Sequence, residues 1–347
     1  MNRRDFLGNS ALTGLVISSG GISLPLGLSG AAFGQGMNRE NYVTAGGIFL
    51  LSAYSFVGIE TGAFREFGID LNMQSGAGTA ASLTHVAAGT AGFGQAAPIT
   101  SCPAIADQKA ELITIAQASY PGYFEIASLP GKPLKDPAEL KGKTIGIMSQ
   151  GGSTELLLDA VARSKGLDPT SVNRVVTGIS TSGIAFMERG QIDGFFVFYE
   201  TKVALELQGV KLEYLATDDY VTLPGDALIT SAKVLGDPAR EDLVVRYLRG
   251  VRKAMAFVRD PANEEKVLDM FAKYNAVQGS DRPRSRATLN VVRRLTTPPA
   301  GTPSLRLHEE SWLKGLTLLE DIGAIKTKGV SRDKFFTNKY IDLALKG

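Results

Sequence analysis

The chain has 347 residues, 44% hydrophobic and 21% charged, which suits about two packed domains. Its 37 Lys and Arg nearly balance 35 Asp and Glu, so the sequence carries no footprint for nucleic acid. The single Cys102 excludes an internal disulfide framework, and His85 and His308 are too far apart in sequence to suggest a histidine zinc site.

Residues 1–34 read as a signal peptide rather than as fold. Arg3 and Arg4 precede Phe6 and Leu7, and a weakly apolar Gly, Ala, Ser and Leu stretch runs on to Ala32. The arginine pair resembles a twin-arginine export signal, with cleavage expected after Ala32-Phe33-Gly34. The alternative is an N-terminal membrane helix. Glycines and Pro25 interrupt it, and a strongly apolar run of ~20 residues is missing.

From Tyr42 the chain alternates strand, glycine turn and helix, which predicts βαβ units and parallel sheets. NYVTAGG, IDLNMQ, TAGFGQAA and ELITIAQAS read as strands. Helices are expected over IFLLSAYSFVGIETGAFREFG, ended near Gly62 and again near Gly68, over TAASLTHVAAG with Gly89 as its cap, and from Pro98. In a second unit FEIASL, TIGIMS, VNRVVTG, IDGFFVF and KLEYLA read as strands; TELLLDAVARSKG, STSGIAFMERG and ETKVALELQG read as helices. After DALITS the chain turns helical. The segment 237–260 carries an apolar face of Leu243, Val244, Tyr247, Leu248, Val251 and Met255, with Asp237 as N-cap and Pro238 in the first turn. Further helices are expected at 264–274, 284–295 and 305–322. Such a tail must pack on a lobe rather than add a sheet.

The stretch MQSGAGTAASL sets Gly76, Gly78 and Ala81 in the spacing of a dinucleotide loop. A ribose partner should follow ~20 residues later, yet the next carboxylate is Asp107, beyond the following strand. Two readings remain: a tight turn that needs glycine, or a cleft wall whose unpaired helix N–H groups grip a polar or anionic group. The turns at 46–47, 95–98, 151–154 and 178–180 also lie at strand carboxyl ends, where ligands of α/β sheets bind.

Phe195, Phe196 and Phe198 read as core of a buried strand, and Trp312 as core of a helix. Tyr199 and Glu200 follow at the strand's carboxyl end, where Tyr199 offers a ring and a hydroxyl to a ligand. Glu200 has two open readings. It accepts a hydrogen bond from a ligand N–H, or it favours its own helix N-terminus by ~0.3–1 kcal/mol. Ser153 and Thr154 suit helix N-caps that also border the cleft. His85 reads as a solvated or packed helix residue, and Cys102 lacks a neighbouring histidine to activate it.

Several weak motifs occur in a specific order: Gly62-Ala63-Phe64 to Gly68-Ile69-Asp70-Leu71, the loop 76–79, Glu139-Leu140-Lys141-Gly142-Lys143-Thr144-Ile145-Gly146, Gly190-Gln191-Ile192-Asp193-Gly194, and Phe336-Thr337-Asn338-Lys339-Tyr340-Ile341. A second copy of the fourth motif, Gly89 to Gly94, has Gly92 where the Asp belongs. In this order the chain resembles the binding proteins of ABC importers for nitrate, taurine, alkanesulfonates and thiamine-pyrimidine precursors. The resemblance implies an α/β, two-lobed type II periplasmic-binding-protein fold, each lobe a mostly parallel sheet flanked by helices, with a helical C-terminal tail. Residues 40–122 and 232–347 form lobe 1 and residues 123–231 lobe 2, with crossing strands at 123–129 and 226–231. It further implies a monomeric periplasmic protein that binds a small polar or anionic organic molecule for an ABC permease, without cofactor, metal or catalytic role. The expected ligand contacts are Gly47, Phe49, Gly78, Thr79, Gln95, Tyr120, Ser153, Thr154, Tyr199 and Glu200. The rival reading is an exported enzyme of the same fold acting on a small heterocycle or acid.

The arginine pair gives a first prediction. Replacing Arg3→Lys together with Arg4→Lys should strand the precursor in the cytoplasm, as followed by cell fractionation. Normal export of the double variant would show the general secretory route instead.

Overall fold

The structure, a computed structural model, describes residues 37–178 and 181–346; the expected signal peptide lies outside them. The first run comprises β1 (Asn38–Val43), α1 (Ala53–Glu60), β2 (Ile69–Gln74), α2 (Thr79–Ala87), β3 (Phe93–Ala96), α3 (Pro98–Ala106) and β4 (Leu112–Gln117). The second comprises β5 (Phe124–Ser128), β6 (Thr144–Ile147), α4 (Ser153–Ser164), β7 (Asn173–Val176), α5 (Gly183–Glu188), β8 (Gly194–Phe198), α6 (Tyr199–Leu207) and β9 (Glu213–Ala216). After β10 (Ala227–Ser231) come α7 (Pro238–Arg259), α8 (Glu264–Tyr274), α9 (Ala276–Gly279), α10 (Arg282–Leu295), α11 (Glu309–Asp321) and α12 (Lys339–Leu345).

The strands form two five-stranded sheets, ordered β2-β1-β3-β10-β4 and β7-β6-β8-β5-β9. Each is mixed rather than parallel throughout. In the first, β10 runs against both β3 and β4; in the second, β5 runs against both β8 and β9. The remaining contacts, β1 with β2 and β3 and β6 with β7 and β8, are parallel, as strand–helix alternation requires. The reversed strands are the ones that follow a change of sheet. The chain leaves β4 for β5 through 118–123 and returns from β9 to β10 through 217–226. The segment 226–231, expected as a crossing strand of the second lobe, is therefore built into the first sheet.

The tail packs where its apolar face directs it. The six residues of that face on α7 are all buried, and Asp237 caps the helix through the N–H groups of Ala239 and Arg240. Tyr247 stacks on Phe93 of β3, ring centres 3.7 Å apart, and on Phe64 at 5.7 Å. Two helix starts differ from expectation. Asp281 caps α10, so that helix begins at Arg282. No helix runs through Leu305, whose φ is +68° and whose carbonyl accepts the N–H of Gln117; α11 starts only at Glu309. The helix expected after β1 is regular over Ala53–Glu60 and ends where its glycines direct, with Gly62 and Gly68 both at positive φ.

Trp312 is buried, and its Nε1–H donates to Gln117 Oε1 at 2.6 Å. Gln117 Nε2 in turn donates to the carbonyls of Ser119 and Gly225, one on each passage between the sheets. Trp312→Phe would leave Gln117 Oε1 buried and unpaired, at a cost of ~1–3 kcal/mol. Urea unfolding should show a lower midpoint with an unchanged slope; an unchanged midpoint would mean the hydrogen bond carries no weight.

Candidate functional site

A cavity of about 280 Å³ opens where the carboxyl ends of the two sets of parallel strands face each other. One wall comes from 45–52 after β1, 76–79 after β2 and Gln95 on β3. The other comes from 148–154 after β6, Gly178 after β7, and Phe198 and Tyr199 at the end of β8. This is the crevice position common to open α/β sheets.

The loop 76–79 is both a cleft wall and a turn that needs glycine. A Cβ on Gly76 would run into the carbonyl oxygen of Thr44, and Gly78 has φ +118° with Ser149 Oγ 2.9 Å from where its Cβ would stand. The next residue reaches across the cavity: Thr79 Oγ1 lies 2.8 Å from Ser153 Oγ, which also meets Thr100 Oγ1 at 2.9 Å. Ser153 is the first residue of α4 and not its cap, a position taken by Gly152. Thr154 Oγ1 instead accepts the N–H of Met148, fixing the loop after β6. On the other side, Tyr199 takes the N–H of Leu51 on its hydroxyl at 3.1 Å.

Gly47, Phe49, Gly78, Thr79, Gln95, Ser153, Thr154 and Tyr199 all line the cavity. Tyr120 does not; its hydroxyl points to the carbonyl of Pro303. Ile179 and Ser180 of the expected turn lie outside the described residues. His85 is exposed and pairs with Thr90, away from the cavity. Asp193 of the Gly190–Gly194 motif accepts the N–H of Thr144, which makes it a support of β6 and not a ligand contact.

Sequence reasoning gave Asp226 no place among the ligand contacts. It lines the cavity, is 5% exposed, and stands just before β10. Gln95 Nε2 donates to its Oδ2 at 2.7 Å, and Tyr123 stands beside it on the cavity wall. Gln95 is held in turn, because its Oε1 accepts from Ser52 Oγ at 2.9 Å and from the Tyr42 hydroxyl at 3.1 Å. Burial pushes the Asp226 carboxyl up to about 6, and the neighbouring Tyr123 hydroxyl and Gln95 amide pull it back only in part. The signal in the sequence was an acid opening the apolar strand ALITS directly after Pro224-Gly225. Among the described residues, no lysine or arginine lines the cavity. Aromatic rings make much of the wall: Phe49 meets Phe198 edge-on at 5.2 Å, and Tyr123 meets Tyr199 at 5.6 Å.

Two mixed sheets, two passages between them and a cavity at their facing carboxyl ends define a type II periplasmic-binding-protein fold. Solved structures agree. A protein from Bordetella bronchiseptica matches with TM-score 0.71 and 18% identity over 89% of this chain and 97% of its own. The aliphatic sulphonate binding protein SsuA of Escherichia coli gives 0.64 and 17%, over 86% and 92%. The nitrate-binding protein NrtA of Synechocystis PCC 6803 gives 0.64 and 12%, over 89% and 88%. The fold is also that of an enzyme, the desulfurization enzyme DSZB, at 0.56 and 13%, over 89% and 99%. Residues 52–264 match the NMT1/THI5-like family, and the chain belongs to it. No match was found among curated proteins.

Glu200, expected at the cleft mouth, is instead buried and absent from the cavity wall. Its Oε1 accepts the N–H of Leu50 at 3.0 Å and the Tyr199 hydroxyl at 3.4 Å. Burial pushes its carboxyl up to about 7, more than the Leu50 N–H and the Arg284 guanidinium lower it. The folded chain therefore holds this proton between pH 4.5 and about 7 while the unfolded chain loses it, so stability falls as pH rises through that window. Glu200→Gln should remove this part of the fall and be the more stable form above pH 7, by on the order of 3 kcal/mol. Denaturation midpoints from pH 4.5 to 8 check it. A pH profile unchanged by the substitution would contradict the burial account.

Proposed function

We propose that this chain is a periplasmic solute-binding protein, monomeric, that captures a small polar organic molecule in the cavity and delivers it to an ABC importer. The observation that carries this reading is the cavity itself, walled from both sheets and bridged by side chains of each. The family membership, the binding proteins among the similar structures and the signal-like first 34 residues support it. An enzyme of the same fold would need a reactive pair at the cavity. Cys102 is buried in α3 with its thiol pushed up to about 12 by desolvation, and His85 is occupied on an exposed helix face.

Native mass spectrometry of protein purified from the periplasm tests the reading, which expects a small molecule bound one to one. Empty protein whose melting temperature no small solute raises would contradict it. The cross-cavity bonds give a further prediction. Ser153→Ala removes contacts to Thr79 and Thr100 worth ~0.5–1.5 kcal/mol each. Small-angle scattering of the ligand-free variant should show a larger radius of gyration than the parent. Equal radii would mean these bonds do not hold the cleft closed.

A further inference from the structure

We infer that the cavity takes an amine: a compact molecule with an apolar, ring-sized body and an N–H donor group that ends against Asp226. The inference rests on the solute-binding reading above and adds to it the chemical class of the ligand.

Charge is the first argument. The sequence leaves room for an anionic ligand held by helix ends, and the first turns of α2 and α4 do border the cavity without side-chain caps. Yet no lysine or arginine lines the cavity among the described residues, and a carboxylate does. An oxoanion would be enclosed with Asp226 and no cationic side chain, and like charges in a buried site disfavour each other. Helix ends contribute only partial charge, of about half a unit each. Those ends suit an uncharged acceptor at the far end of the ligand.

Acceptor capacity is the second. An ionised carboxylate only accepts, with about four lone-pair sites. Gln95 fills one of them. Gln95 cannot turn its oxygen to the ligand instead, because Ser52 and Tyr42 already donate to that oxygen. The main chain of Asp226 is fixed as well: its N–H donates to Ser119 Oγ at 3.0 Å, and its carbonyl accepts the N–H groups of Ala118 and Ser119 at 2.9 Å. The free acceptor sites are thus held in place before a ligand arrives.

Shape is the third. Phe49, Phe124, Phe198, Tyr123, Tyr199 and Met148 supply the apolar wall. Aromatic faces attract cations and pack flat bodies. A volume of about 280 Å³ falls just below the ~300–1,000 Å³ of sites for drug-sized ligands, so the body is small.

The test uses three probes that share one ring: benzylamine, benzyl alcohol and benzenesulfonate, titrated calorimetrically into the signal-free protein at pH 7.5. Benzylamine should bind at least tenfold tighter than the alcohol, and the sulfonate weakest. Asp226→Asn should weaken benzylamine about ten- to hundredfold while leaving the alcohol unchanged. The probe ranking on the parent protein needs no variant, so it stands even if Asp226→Asn fails to fold. Preference for the sulfonate, or an amine indifferent to Asp226→Asn, would overturn the inference and leave solute binding intact. Should none of the probes bind, the mass of the co-purified solute decides: a molecule without an N–H group overturns the inference alone, and an empty cavity overturns the solute-binding reading with it.

Discussion

The Asp226 carboxylate sits where the two halves of the chain come back together. After β9 the chain returns through 217–226 and inserts β10 between β3 and β4, against the direction of both. That reversal brings the first residue before the strand, Asp226, to the carboxyl ends of its neighbours, which is where the cavity lies. Gln95 on β3, Gln117 on β4 and Ser119 beyond it then converge on the same point. A buried carboxylate is costly unless its hydrogen bonds are supplied; Gln95 supplies one, while Gln117 and Ser119 hold the main chain and leave the other acceptor sites open. The connectivity of the first sheet and the chemistry of the cavity are thus one arrangement.

The second sheet is tied to the first through α6. That helix begins at the cavity with Tyr199 and Glu200, and both reach the backbone of Leu50 and Leu51 on the first sheet's side. From behind, α10 of the C-terminal tail packs on α6. Opposite, Thr79 and Thr100 hold Ser153. Each such bond is worth only ~1 kcal/mol net. A handful of such bonds is weak enough for a ligand touching both walls to outweigh.

Much of the fold was legible because period and punctuation agree. Strand–helix alternation located β1 to β9 among the described residues, the resemblance supplied β10, and the apolar face of α7 is buried as its spacing requires. What failed depends on distant partners. Nothing local marks β5 and β10 as reversed, since direction is set by which neighbours a strand finds. Leu305 has no helix-breaking signal; its left-handed backbone follows from bonding Gln117. At the site, the glycine turns and their flanking residues were readable, because strand carboxyl ends define the crevice. The charged group was not. Glu200 stands at the end of a strand as a ligand contact would, but its side chain turns to Leu50. Asp226 stands at the start of a strand, a position that faces the cavity only because β10 runs backward.

The account turns on whether the Asp226 carboxylate receives the ligand's N–H donor. Carbon-13 NMR of the aspartate side chains, assigned with Asp226→Asn, follows that carboxyl through a pH titration with and without saturating benzylamine. Without ligand, burial should hold it near 6. With the amine bound, a charge-assisted hydrogen bond to the ionised form should lower it by more than ~1 unit. A value unmoved or raised by the amine would contradict the account.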